Sequence, residues 1–111
     1  MIVVNRFRVD ASDGAQAEEF RVGLHAAHRA LAGRPGYVAG HAGRNVDDPD
    51  LWVLVTTWAD TGSYRRALSS YDVKVTAVPL LSRALDEPSA YELDDPGNGT
   101  PLNEARPRGI G

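Results

Sequence analysis

The stretch LWVLVTTWAD, residues 51–60, decides the fold prediction because it is apolar on both faces when it is read as a β-strand. Successive side chains of a strand point to opposite faces. One face carries Leu51, Val53, Val55, Thr57 and Ala59, and the other carries Trp52, Leu54, Thr56 and Trp58. An antiparallel strand of a small protein usually has one face in water. The pattern therefore predicts a cover on both faces of this strand.

Two further segments before this strand have clear signatures. IVVNRFRV, residues 2–9, is rich in β-forming residues and places the polar Asn5 in an apolar stripe. A helix is predicted from about Ala15 to Leu31 or Ala32, since Asp13 and Gln16 have the spacing of a capping box. Its buried stripe is predicted to contain Phe20, Leu24, Ala27 and Leu31. His28 lies on the flank of that stripe, and His25 lies well outside it.

The rest of the chain completes a βαββαβ order. Residues 37–44 are predicted as a strand whose glycines indicate a bulge or a close backbone approach, and 46–50 form a turn into the quoted strand. A helix after Asp60 is predicted to line one side with Tyr64, Ala67 or Leu68, and Tyr71. A second helical piece is predicted at 71–78, a short third helix is predicted to begin at Pro79, and residues 89–93 form a last strand. This order predicts an α+β, ferredoxin-like fold: a four-stranded antiparallel sheet with helices on one face.

The composition bounds the possible partners. The 111 residues suit one domain, predicted as residues 1–94, followed by a tail at 95–111 that is rich in glycine and proline. A net charge of −3 argues against binding to nucleic acid or to an anionic membrane. Cysteine is absent, so thiol chemistry and cysteine metal sites are excluded. No signal peptide or membrane span is recognised, and a cytoplasmic protein is expected.

The second apolar face of the strand at 51–59 predicts a homodimer. Leaving Val53 and Val55 in water would forgo about 1.5–3 kcal/mol each. A second copy of the chain, packed sheet against sheet, would cover them. The alternative is that the tail at 95–111 folds over this face.

Four segments resemble the antibiotic biosynthesis monooxygenase family: VNRF (4–7), GRPGYVAG (33–40), LVTTW (54–58) and SYRRALSSYDVKVTAVPLL (63–81). The resemblance covers about residues 2–93. It implies a dimeric α/β barrel with a pocket between helices and sheet in each subunit. It also implies an oxygenase that needs no cofactor and uses O2 to oxidise small, polyketide-like phenols or quinols.

Related members of this superfamily instead bind and degrade heme. They use an Asn in the first strand, a Trp at the end of the third strand, and a helical His as iron ligand. Asn5 and Trp58 match the first two positions. The helical region at 72–81 has Val75 and Val78 but no histidine, so the heme function is disfavoured.

For the oxygenase, Asn5, Trp58 and His28 are the candidate catalytic residues. Asn5 and the indole N–H of Trp58 would donate to a developing oxyanion, or Trp58 would stack on the substrate ring. His28 would act as general base. The substrate-binding candidates are Phe7, Leu24, Tyr64 and Tyr71. Each has a structural alternative: a local backbone bond for Asn5, core packing for Trp58 and the tyrosines, and a half-exposed helix position for His28.

A metal site is not predicted, because His25 and His28 lack a third ligand in the sequence. Nucleotide-binding and hydrolase motifs are also absent. A different class of function is also open: a non-catalytic ligand-binding or stress-response dimer on the same fold. A pocket closed by side chains, or one with no buried polar group beyond Asn5, would favour that alternative.

Overall fold

The computed structural model describes residues 1–94, so the predicted tail at 95–111 lies outside the described residues. The elements are β1 (Ile2–Arg8), α1 (Gly14–Ala32), β2 (Tyr37–Arg44), β3 (Leu51–Trp58), α2 (Thr61–Ser69), α3 (Tyr71–Thr76), α4 (Val78–Leu81) and β4 (Ala90–Tyr91). The strands form one antiparallel sheet in the order β2-β3-β1-β4. The predicted ferredoxin-like fold is confirmed.

Helix α1 begins and ends where its caps predict. The Asp13 carboxylate accepts a hydrogen bond from the Gln16 backbone N–H at 3.1 Å, which satisfies one free donor of the first turn. At the other end the Gly33 N–H donates to the carbonyls of Arg29 and Leu31. The predicted stripe is buried, and its members are Phe20, Leu24, Ala27 and Leu31.

The second helical region consists of three short helices, as predicted. Asp60 caps α2 by accepting a hydrogen bond from the Ser63 N–H at 2.7 Å, as expected. The helix then stops because Ser70 has an extended backbone, with ψ of 151°. Tyr71 consequently begins a separate helix and is 79% exposed. The prediction that Tyr64 and Tyr71 line one side of the same helix is therefore wrong.

The strand register assigns the two faces of the sheet. Asn5 pairs with Leu54 and Phe7 pairs with Trp52, so these residues share the face that the helices cover. The largest side chains buried there are Trp58, Phe7, Phe20, Leu24, Leu31 and Leu54. We call the opposite side the open face; it carries Ile2, Val4, Arg6, Val53, Val55 and Thr57, all half-buried in the single chain.

Candidate functional site

Asn5 is the polar residue in the middle of the helix-covered face of β1. Its strand neighbours Val3 and Phe7 are each 1% exposed, and Leu54 lies opposite. Asn5 itself is half-buried, and its amide makes no hydrogen bond to any residue in 1–94. The hydrogen-bonding groups of this amide are therefore free to meet a ligand.

Trp58 lies at the end of β3 inside an aromatic cluster. The indole is 1% exposed and contacts Tyr37 and Tyr64, each with ring centroids 5.5 Å apart. Its N–H donates to the Thr56 hydroxyl at 2.9 Å. The indole N–H is thus already used, and the prediction that it serves an oxyanion finds no support. The ring remains available to pack against a ligand.

Asn5 and Trp58 share a face but are not adjacent. Asn5 pairs with Leu54, whereas the Trp58 backbone N–H bonds to the carbonyl of Met1 at 2.8 Å. The two residues therefore lie four strand positions apart, about 13 Å along the sheet. Both side chains lie on the helix-covered face, but the register does not place them side by side.

His28 contacts a residue that the sequence did not single out. Its Nε2 lies 2.7 Å from the hydroxyl of Tyr37, at the start of β2. Burial lowers the pKa of His28 from its ordinary value, and the charges of His25 and His41 lower it further. The sequence feature that pointed toward Tyr37 was the glycine-rich strand β2. Its register is irregular between Tyr37 and Ala39, and Gly40 lies directly against the His28–Tyr37 contact.

The remaining predicted residues belong mostly to the core. Phe7 packs on Phe20 with ring centroids 5.2 Å apart, and Leu24 is fully buried. Tyr64 is half-buried, and burial raises the pKa of its phenol. Tyr71 is exposed, as described above. The structure brings Trp58, Tyr64, Tyr37 and His28 into one chain of contacts, and it leaves Asn5 at a distance from them.

Two surface depressions lie elsewhere on the molecule. One, of about 290 Å³, is lined by residues of β2 and β3 that include Gly43 and Val53, and the other, of about 330 Å³, lies on α1 beside Val22 and His25. Neither is lined by a predicted site residue. On the helix-covered face, Trp58, Phe7 and Leu24 are almost fully buried among core side chains, so a ligand that contacts them would displace some of these side chains.

The residues do not fit a heme site or a metal site. Val75 and Val78 occupy the helical region in which the heme-degrading relatives carry a histidine, and both are exposed. In the described part of the chain, no three His, Asp or Glu side chains cluster closely enough to hold a metal ion. The chemistry proposed below therefore involves neither heme nor a metal ion.

Comparison with known proteins gives a family-level match. The model of the family "Antibiotic biosynthesis monooxygenase" matches residues 1–77. The structure is similar to that of SnoaB, a cofactor-independent oxygenase from Streptomyces nogalater, with a TM-score of 0.61 and 25% identity over 85% of this chain and 96% of that chain. An asparagine-to-alanine variant of SnoaB matches with a TM-score of 0.63 and 26% identity, over 76% of this chain and 82% of that chain.

The fold is also shared by a conserved protein from Methanosarcina mazei Go1. That comparison has a TM-score of 0.63 and 21% identity, over 80% of this chain and 84% of that chain. No curated protein is significantly similar in sequence.

Proposed function

The chain belongs to the antibiotic biosynthesis monooxygenase family, and from this premise we propose that it is a cofactor-independent monooxygenase acting on a small aromatic phenol or quinol with O2. The similarity to SnoaB, a cofactor-independent oxygenase, supports the cofactor-free chemistry. The observation that carries the proposal is the Asn5 amide, half-buried on an apolar face with no partner in residues 1–94.

The reaction uses the substrate as its own reductant. Loss of the phenolic proton makes the ring electron-rich, and the ring carbon then donates electrons to O2. One oxygen atom forms a bond to that carbon and ends as the new carbonyl. The other leaves as water, with two hydrogens that come from the substrate. An anthrone thus becomes an anthraquinone with no other electron donor.

Each residue has a role that its position allows. The Asn5 amide N–H would donate to the negative charge that develops on the oxygen derived from O2, at the end of the substrate away from the ionised phenol. Phe7 and Leu24 would contact the apolar part of the ring system. Trp58 and Tyr64 would form an aromatic wall at the far end of β3. Since Asn5 and Trp58 are about 13 Å apart along the sheet, the arrangement favours an elongated, fused polycyclic substrate over a single ring.

A homodimer is part of the proposal. Ile2, Val4, Val53 and Val55 form an apolar stripe on the open face, outside the helix layer. The charge of Arg6 on that face is compensated by Glu87, with both carboxylate oxygens 2.7 Å from guanidinium nitrogens. A second copy packed on this face would remove the stripe from water.

The cytoplasmic location predicted from the sequence is kept as part of this proposal. Among the helices of residues 1–94, none is long and apolar enough to cross a membrane.

Oxygen uptake by metal-free protein with anthrones and naphthoquinols tests the proposal. Asn5→Ala should lower the catalysed rate about 100- to 1,000-fold, as expected for loss of an oxyanion donor. The control is Asn45→Ala, which removes an amide from the β2–β3 turn instead. Equal rates for wild type and Asn5→Ala would contradict the role of Asn5.

A non-catalytic binding protein is the second candidate, and the closed interior favours it. Core side chains occupy the helix-covered face, and the two depressions lie away from the predicted residues. Saturable quenching of tryptophan fluorescence by an anthraquinone, without O2 uptake on any anthrone or naphthoquinol, would support this candidate over the oxygenase.

A further inference from the structure

His28, Tyr37 and Gly40 form a compact group between α1 and β2. The His28 Nε2 atom and the Tyr37 hydroxyl are 2.7 Å apart. A Cβ atom added to Gly40 would lie 2.6 Å from each of these two atoms. Real Cβ atoms do not approach that closely, so glycine at this position is what allows the bond to form. The bond therefore depends on a specific feature of β2.

The protonation states of the pair are compatible with proton transfer from Tyr37 to His28. Burial keeps the pKa of His28 below its ordinary value, and burial raises the pKa of Tyr37. At neutral pH the phenol is thus protonated and the imidazole is neutral. We assign the hydrogen bond accordingly, with the Tyr37 O–H donating to Nε2 and the ring proton on Nδ1.

Within residues 1–94, no carboxylate near His28 would accept a proton from its imidazole ring. The titratable groups that act on it are His25 from α1, and His41 and Tyr37 from β2. On the neighbouring helix α3, Asp72 and Lys74 are exposed, and α4 carries no charged residue. No carboxylate is therefore in place to take the proton from His28, which is half-buried and can exchange it with water.

Tyr37 also contacts the aromatic cluster. Its ring packs edge-on against Trp58 at an interplanar angle of 88°, and Trp58 contacts Tyr64 on its other side. Tyr37 thus connects the aromatic wall of the proposed site to His28. Because the Nε2 atom is occupied by the Tyr37 hydroxyl, a proton reaching this nitrogen from the site would pass through Tyr37.

The geometry points to Tyr37 as a further catalytic residue, one that relays the substrate's phenolic proton to His28; this inference rests on the proposed function. The substrate O–H bond breaks and its proton bonds to the Tyr37 oxygen. In the same step the original Tyr37 proton moves to His28 Nε2. No electron is transferred, and the products are a substrate phenolate and an imidazolium ion that later returns its proton to water.

The test is the pH dependence of oxygen uptake in Tyr37→Phe, which keeps the ring packed on Trp58 and removes only the hydroxyl. We expect a loss of about 100-fold or more at neutral pH, in the range of general acid–base catalysis. The loss should shrink as the pH approaches the pKa of the substrate phenol, because an already ionised substrate needs no relay. A merely structural hydroxyl would give the same loss at every pH.

Two further variants keep the inference testable if one folds poorly. Gly40→Ala should separate the two groups while removing neither, and His28→Gln should remove the acceptor; both should reproduce the pH-dependent loss. Tyr91→Phe, which removes a hydroxyl from exposed β4, is the control, and circular dichroism verifies the fold of each variant.

The outcomes separate the relay from the function on which it rests. Two results would overturn the relay alone, provided that the wild type is active. In one, Tyr37→Phe has the same rate of oxygen uptake as wild type; in the other, its loss of rate is the same at every pH. Wild type that never exceeds the spontaneous oxidation rate would overturn the proposed function, and the relay with it.

Discussion

The Thr56–Trp58 pair is a polar contact built into the core. Thr56 is 2% exposed and accepts the Trp58 indole N–H within the strand they share. A buried donor that loses its acceptor carries the full cost of its desolvation. The pair therefore fixes the Trp58 ring, which in turn contacts both Tyr37 and Tyr64.

Replacing Thr56 with valine should lower the free energy of unfolding by about 1–3 kcal/mol, because the indole N–H is left buried and unpaired. Urea denaturation followed by fluorescence measures this. Thr76→Val, at an exposed position at the end of α3, is the control and should change stability by about 0.5 kcal/mol or less. Equal effects at the two positions would argue that the Trp58 bond contributes nothing.

His28 should make the stability of the protein depend on pH. Its pKa in the folded chain is below the ordinary value of 6.5, so the unfolded chain binds more protons between these two values. The contribution of neutral His28 to the free energy of unfolding is fully present above about pH 6.5. It is lost as the pH falls toward the pKa of His28 in the folded chain. Denaturation midpoints measured from pH 8 to 5 should show this decline, and it should be weaker in His28→Gln.

His25→Gln is the comparison for that experiment. It should retain most of the decline, because burial of His28, and not the charge of His25, is the larger cause of the lowered pKa. If the denaturation midpoint of His28→Gln fell with pH as much as that of wild type, groups other than His28 would be responsible for the decline.

At the scale of elements, the turn between α1 and β2 is held by a glycine that other residues cannot replace. Gly36 has a φ of +89°, and a Cβ there would lie 2.3 Å from the Cβ and Oγ atoms of Ser63 in α2. Its carbonyl accepts the Ala59 N–H at 2.7 Å. The turn therefore fits against the start of α2 only when position 36 has no side chain.

Gly36→Ala should destabilise the protein by about 1–3 kcal/mol, because it combines an unfavourable backbone conformation with a steric clash. Thermal unfolding monitored by circular dichroism measures the change. Gly33→Ala is the matched control: an added Cβ there meets its nearest atoms at ordinary distances, 3.7 Å and beyond. If Gly36→Ala and Gly33→Ala had the same unfolding midpoint temperature, the close approach of Gly36 and Ser63 would be refuted.

The sequence predicted elements well where local signals fix them. Asp13 and Gly33 bound α1, and Asp60 begins α2, because caps act on adjacent backbone groups. A separate helical piece from Tyr71 onward was predicted, and the structure separates α2 from α3 at Ser70. The predicted alignment of Tyr71 with Tyr64 failed because the extended backbone of Ser70 interrupts the helical period. The last strand is only Ala90–Tyr91, shorter than the predicted 89–93, because its extent depends on pairing with β1.

The candidate site was harder to predict than the elements. Alternation along β1 and β3 does not say which face meets the helices, and only the register shows that Asn5 lies opposite Leu54 and far from Trp58. Tyr37 was missed because its contact with His28 joins a strand to a helix. The glycine at position 40 indicated a close approach without identifying the partners.

At the scale of the whole molecule, the proposed homodimer assembles through the open face. Val55→Asp would place a charge in the proposed interface, where it would be desolvated without a partner. We expect the variant to be monomeric while wild type is dimeric, as measured by light scattering after size-exclusion chromatography. Val75→Asp, at a position on α3 that is 57% exposed, should stay dimeric. A wild-type monomer, or a dimeric Val55→Asp protein, would contradict assembly through this face.

The proposed activity is the insertion of one atom of O2 into an aromatic substrate without a cofactor. The most direct measurement incubates metal-free protein and an anthrone under oxygen-18 gas and analyses the quinone by mass spectrometry. We predict one labelled oxygen atom per quinone, formed faster than in buffer and much more slowly with Asn5→Ala. Quinone formed no faster than in buffer across a panel of anthrones, or quinone without the label, would contradict it.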